Sequence, residues 1–95
     1  MDWYVPITNR WLAAIRQDSR LSGSAQRAAA VIADRFIAEN PAYATFKDVD
    51  LRTAMNASGY AAQAAREELV RKAWLVHLQY LGRFAPYYKL GFGDG

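Results

Sequence analysis

The spacing of apolar residues changes once along this chain, and the place where it changes limits the folds open to it. Up to about Ala73, apolar side chains recur every three or four positions; from Trp74 to Leu81 they move toward alternation. The first period belongs to helices with one buried stripe and the second to half-buried strands. Helices therefore dominate the first three quarters, and a strand pair closes the chain. With 95 residues there is room for one domain and no second. A domain that small buries only about 60 to 70% of its unfolded-state surface, so the core has to be efficient. A hydrophobic fraction of 53%, including three Trp, six Tyr and four Phe, can supply it.

Local signals divide the helical part. Ile7, Trp11, Leu12 and Ile15 mark a helix over Ile7 to Asp18, with Thr8 as its cap and Pro6 closing off anything earlier. Ser22-Gly23-Ser24 interrupts the chain, and Ala25, Ala28, Ala29, Ile32 and Phe36 define a second helix ending before Asn40-Pro41. Tyr43 to Phe46 is a brief strand. Asp48 then caps a helix burying Leu51, Ala54 and Met55, and Asn56-Ala57-Ser58-Gly59 makes a sharp turn. A fourth helix over Tyr60 to Ala73 turns Ala62, Ala65 and Leu69 inward. Gly82-Arg83 forms the turn between the last strands, and Pro86 favours an edge position for Tyr87 to Leu90. Residues 1–6 form an arm, 7–90 the domain and 91–95 a frayed tail.

The formal charge is +3, a modest value spread unevenly. Residues 1–65 carry seven Lys or Arg against six Asp or Glu, whereas 66–90 carry Arg66, Arg71, Lys72, Arg83 and Lys89 against Glu67 and Glu68. A basic C-terminal part suits a nucleic-acid face, and equally a solvated rim. No apolar run approaches the roughly 18 residues of a membrane span, and Met1 to Arg10 lacks the zones of a signal peptide. The expected location is the cytoplasm, which the lack of cysteine fits. His77 lies between Val76 and Leu78 without a nearby carboxylate or nucleophile signature. Asp48 with Asp50 is a bare pair, and no phosphate loop or dinucleotide turn occurs. A catalytic role, a metal and a cofactor are therefore not expected.

Two helices joined by a tight turn and followed at once by a β-hairpin is the order of a winged helix-turn-helix. From Ile7 to Leu90 the chain resembles the winged helix-turn-helix domains of bacterial, phage and plasmid regulators and of phage-type replication proteins. The matching pieces are Trp11, Leu21-Ser22-Gly23-Ser24-Ala25, Ala44-Thr45-Phe46, Leu51, Met55-Asn56 and Ser58. The likeness continues through Leu69-Val70-Arg71-Lys72-Ala73-Trp74-Leu75, Gly82-Arg83 and Tyr88-Lys89-Leu90. It implies an α+β fold of three to four helices, a short connecting strand and a C-terminal β-hairpin wing. It also implies binding of double-stranded DNA by a transcriptional regulator or a replication accessory factor, with the fourth helix in the major groove. On that helix Tyr60, Gln63 and Arg66 would read bases, and Arg71, Lys72 and the wing-tip Arg83 would meet the backbone or a minor groove.

Two residues depart from the pattern: Arg52 stands where such domains have a small residue, and Arg66 where they have a buried aliphatic. Either the register shifts by a residue or two in Asn56 to Tyr60, or both arginines snorkel. The rival function is a protein-interaction module, because an Ala-rich helix offers a smooth docking face. A homodimer on half-sites one helical turn apart is expected on DNA, and Trp3-Tyr4 either folds back or meets a second subunit. Trp11, Trp74 and Tyr88 are assigned to the core. The reading of the fourth helix makes a direct prediction: Ala65→Leu overpacks its inner face and costs about 1 to 3 kcal/mol. An unchanged denaturation midpoint for that variant would mean that the inner face is misassigned.

Overall fold

A computed structural model describes residues 7–37, 43–78 and 87–93. Within them the order is α1 (Ile7–Arg16), α2 (Gly23–Arg35), β1 (Tyr43–Thr45), α3 (Asp48–Met55), α4 (Gly59–Arg71), β2 (Leu75–Leu78) and β3 (Tyr87–Leu90). This is the expected α+β architecture, four helices and an antiparallel β2–β3 hairpin. The arm with Trp3 and Tyr4, the wing tip with Gly82 and Arg83, and Pro86 lie outside the described residues.

Capping explains where the helices begin and end. Ser22 caps α2, its hydroxyl accepting the Ala25 amide at 3.1 Å, so the helix starts at Gly23 rather than Ala25. It closes at Arg35, before Phe36 accepts the Thr45 amide at 3.2 Å and Ile37 bridges to Ala44. Lys47, and not Asp48, occupies the N-cap of α3; its amide donates to the Asp50 carboxylate at 3.0 Å. That leaves Asp48 in the first turn with its carboxylate available to another element. Asn56 ends α3 in the left-handed region, at φ 53° and ψ 48°, and Ser58 caps α4 by accepting from Ala61 at 3.2 Å. The turn falls where its sequence places it.

The end of α4 carries more of the architecture. Ala73 adopts φ 64°, its amide donating to Val70 O at 3.1 Å while Trp74 N donates to Leu69 O at 2.8 Å. That pair of bonds is a Schellman closure. It stops the helix at Arg71, two residues before the end expected from periodicity, and aims β2 back across the domain. An alanine tolerates this conformation only at a cost of about 1 kcal/mol, which its neighbours must offset.

They do so by converging on this corner. The Trp74 carbonyl accepts from the Trp11 indole at 2.9 Å and from the Gly91 amide at 2.9 Å, while the Trp74 indole donates to the Asp18 carboxylate at 3.1 Å. Gly93 N reaches Ala73 O at 3.2 Å. A Cβ on Gly91 would sit 2.2 Å from that same carbonyl oxygen, so only glycine lets the chain pass there.

The sheet runs β1-β3-β2, both pairings antiparallel, with Ala44 opposite Tyr88 and Leu75 opposite Leu90. Thus β3 is the middle strand, contrary to the edge position expected from Pro86. Among the described residues the pairing of β3 covers Tyr87 to Leu90, each of which carries an amide donor. Trp11, Ile15, Ile32, Phe46, Leu51, Leu69 and Leu75 form the centre of the core, and Trp74 and Tyr88 are buried with them as expected. Ala62 and Ala65 are buried too, which supports the inner face assigned to α4. Tyr88 stacks on Phe46 at 4.9 Å and on His77 at 5.1 Å, placing the histidine in the packing of the sheet.

Acid titration reports on the corner. The Asp18 side chain is 7% exposed. Hydrogen bonds from the Arg20 side chain and amide, joined by the Trp74 indole and the Arg20 charge, overcome its desolvation and hold its pKa at about 2, below the ordinary 3.8. A carboxyl with a depressed folded pKa stabilises the fold in full above its unfolded pKa and loses that contribution as pH falls through the folded one. Stability is therefore expected to decline between about pH 4 and pH 2, and Asp18→Asn to flatten that part of the curve while lowering the urea midpoint at pH 7. Parallel wild-type and variant curves across that window would exclude Asp18 as the titrating anchor.

Candidate nucleic-acid interface

Helix α4 has one face committed to the core and another left to solvent. Ala62, Ala65 and Leu69 point inward, whereas Tyr60, Gln63, Ala64, Glu67 and Arg71 are exposed. Tyr60, then Gln63 and Ala64 side by side, then Glu67 and Arg71 recur at three- to four-residue intervals, so they form a continuous outward stripe. Tyr60 is 84% exposed and opens it. Thr53 and Asn56, also exposed, lie near the turn that leads into the helix.

Polar anchors hold α4 from three directions. Arg66 grips Asp48 with two nearly parallel bonds, Nε to Oδ1 at 2.8 Å and Nη2 to Oδ2 at 3.0 Å, tying α4 to the first turn of α3. The Arg66 side chain is 18% exposed and that of Asp48 42%. The Asp48 hydrogen bond outweighs desolvation and raises the Arg66 pKa, so the guanidinium stays charged. Glu68 accepts from both the amide and the hydroxyl of Ser22, each at 2.8 Å, which seats its carboxylate at the N-terminus of α2. Burial opposes ionisation there, but the two Ser22 bonds, with Lys72 and Arg71 nearby, bring the Glu68 pKa below its usual value. Lys72 donates to the Arg20 carbonyl at 2.7 Å and lies 3.8 Å from Glu68. On the opposite side of the turn, Arg27 of α2 donates to the Met55 carbonyl that ends α3.

The residues singled out from sequence therefore fall into separate groups. Tyr60, Gln63 and Arg71 lie together on the outward stripe, with Gln63 Nε2 donating to Glu67 at 3.2 Å. Arg66 leans away from the stripe to Asp48, and Lys72 reaches back to the α1–α2 connection. Arg83 lies outside the described residues. Arg52 is exposed and lies against Gly59, whose Cβ would come within 3.3 Å of Arg52 Cδ. The close approach at the start of α4 is thus made by Gly59, and Arg66, at a position expected to hold a buried aliphatic, has Asp48 as its counter-ion. Sequence reasoning missed Asp48 as that counter-ion, since no spacing rule links Asp48 to Arg66; Glu67 stands at the centre of the stripe.

Glu67 and Arg71 offset each other, so the stripe has little net charge. On the sheet, Lys89 stands exposed opposite Val76. Among the described residues no three His, Asp or Glu side chains gather as a metal site would require, and no helix is long and apolar enough to cross a membrane. Comparison with family models, curated proteins and solved structures finds no match to this chain.

The Arg66–Asp48 fork has a measurable consequence. Asp48→Asn should lower stability by about 1 kcal/mol, the upper range for a partly exposed pair, while the helical circular-dichroism signal stays unchanged. A loss well below this range would mean that the fork does not hold α4 on α3.

Proposed function

We propose that this chain binds double-stranded DNA without catalysing a reaction, as a regulatory or replication accessory module. In this reading α4 enters the major groove and the β2–β3 ribbon follows the backbone or a minor groove. The observation that carries it is the outward stripe of α4, free of core duties and backed by polar anchors to α2, α3 and the α1–α2 connection. A helix held so firmly can present side chains to base edges at little entropic cost. The α3–turn–α4–ribbon order and the basic bias of residues 66–90 support the same reading.

Tyr60 and Gln63 face the bases, and Arg71 and Lys89 meet phosphates; Arg83 joins them on its sequence position alone, as the expected wing-tip contact. Lys72 lends its charge from its place beside Arg20, and Arg66 acts by positioning the helix. One module covers a short site, so two copies on half-sites about a helical turn apart form the binding unit. One observation favours a second reading, docking to a protein: the stripe is nearly neutral and opens on a Tyr that is 84% exposed. Exposed aromatics of this kind anchor protein interfaces.

Salt separates the two. Affinity for random duplex DNA should fall linearly on a log–log salt plot with a slope near the number of phosphates neutralised, and Arg83→Ala should make that slope shallower by about one. Absence of duplex binding at about 50 mM salt, where phosphate contacts are strong, would remove the DNA reading and leave the protein one. An unchanged slope in the variant would remove Arg83 from the interface.

A further inference from the structure

The chemistry of the α4 stripe narrows what it can read. Gln63 donates one amide hydrogen to the Glu67 carboxylate at 3.2 Å and keeps a second amide hydrogen and its carbonyl oxygen. Glu67 is exposed and, when ionised, only accepts. Arg66, the nearest strong donor, directs Nε and Nη2 to Asp48 and approaches Glu67 only at 3.9 Å. Ala64 contributes no polar atom. Glu67 is therefore the acceptor-only group at the middle of the stripe, with the Tyr60 hydroxyl and the Arg71 guanidinium at its two ends.

Major-groove edges answer this pattern in only two ways. Cytosine N4 and adenine N6 each offer an amine hydrogen; guanine O6 and N7 and thymine O4 offer lone pairs that an acceptor repels. We infer that Glu67 makes α4 a reader of an exocyclic amine, selecting cytosine or adenine at the base it contacts and rejecting guanine and thymine at that position of the contacted strand. Glu67 is then a specificity-determining residue: it repels phosphate, which weakens binding to unselected DNA, and it recovers affinity only where an amine faces it. Asp48 takes part indirectly by keeping the guanidinium of Arg66 from supplying the donor that would favour guanine. This inference rests on the proposed DNA binding.

The test begins with selection from randomised duplexes, followed by the selected duplex carrying N4-methylcytosine or N6-methyladenine at each central position in turn. The methyl group replaces the amine hydrogen that faces the groove while pairing is retained. At one or two positions the wild-type protein should bind the methylated duplex about 10- to 100-fold more weakly, as expected for loss of a specific base contact. Glu67→Gln can donate as well as accept, so it should lose most of that discrimination and admit guanine. Its exposed position means that its denaturation midpoint should match wild type. Binding that changes less than twofold on methylation at every position, or methyl discrimination that persists unchanged in Glu67→Gln, overturns the inference and leaves the DNA reading standing. Failure to bind any duplex overturns both.

Discussion

The Trp74 carbonyl is the point on which this fold turns. It lies just past a helix that ends without glycine, at a residue following a left-handed alanine, and it accepts hydrogen bonds from Trp11 in the first helix and Gly91 after the last strand. Three distant parts of the chain therefore meet at one oxygen. A buried backbone carbonyl must be satisfied, and here the groups that satisfy it also fix where α1 packs and how β2 leaves α4. The Trp74 indole extends the junction to Asp18, which in turn binds Arg20. Through that chain of contacts the α1–α2 connection is brought beside the C-terminus of α4.

This placement makes a second set of restraints possible. Once the α1–α2 connection lies there, Glu68 can reach Ser22 and Lys72 can reach the Arg20 carbonyl, so the C-terminal half of α4 is fastened to the capped start of α2. Arg66 and Asp48 do the same toward α3. Partly exposed ion pairs contribute about 0.2 to 1 kcal/mol each, small beside the burial of Trp11, Leu69 and Leu75, at roughly 1.5 to 3 kcal/mol for an aliphatic side chain. Their importance is geometric: burial of Ala62, Ala65 and Leu69 sets which face of α4 turns inward, and the directed bonds fasten that helix to α2 and α3, with Tyr60, Gln63 and Glu67 outward together.

Much of this is legible in the sequence because it depends on local chemistry. The inner face of α4 at Ala62, Ala65 and Leu69 comes from helical period alone, and the turn at Asn56 to Ser58 from residues that tolerate left-handed backbone or cap helices. The order of elements points to the fold class. The end of α4 is not legible, since Ala73 carries no mark of the left-handed conformation that tertiary bonds impose on it. Nor is the central place of β3: a proline disfavours the ladder only at its own position, and the described pairing covers Tyr87 to Leu90. The site is harder still. In sequence Arg66 resembles a base reader because an arginine on an outward-turning helix is usually solvated; its engagement depends on Asp48, eighteen residues earlier, through a contact that no local pattern encodes. The position of Lys72 is hidden for the same reason, its partner being a distant backbone carbonyl.

The central claim is that the outward stripe of α4 is the surface that meets DNA, and backbone amide shifts recorded during titration with a selected duplex test it most directly. The account predicts that the largest changes fall on Tyr60, Gln63, Ala64, Glu67 and Arg71, with Lys89 next and the buried amides of Ala62, Ala65 and Leu69 changing less. Changes confined to the outer faces of α1 and α2, or no change at saturating duplex, would contradict it.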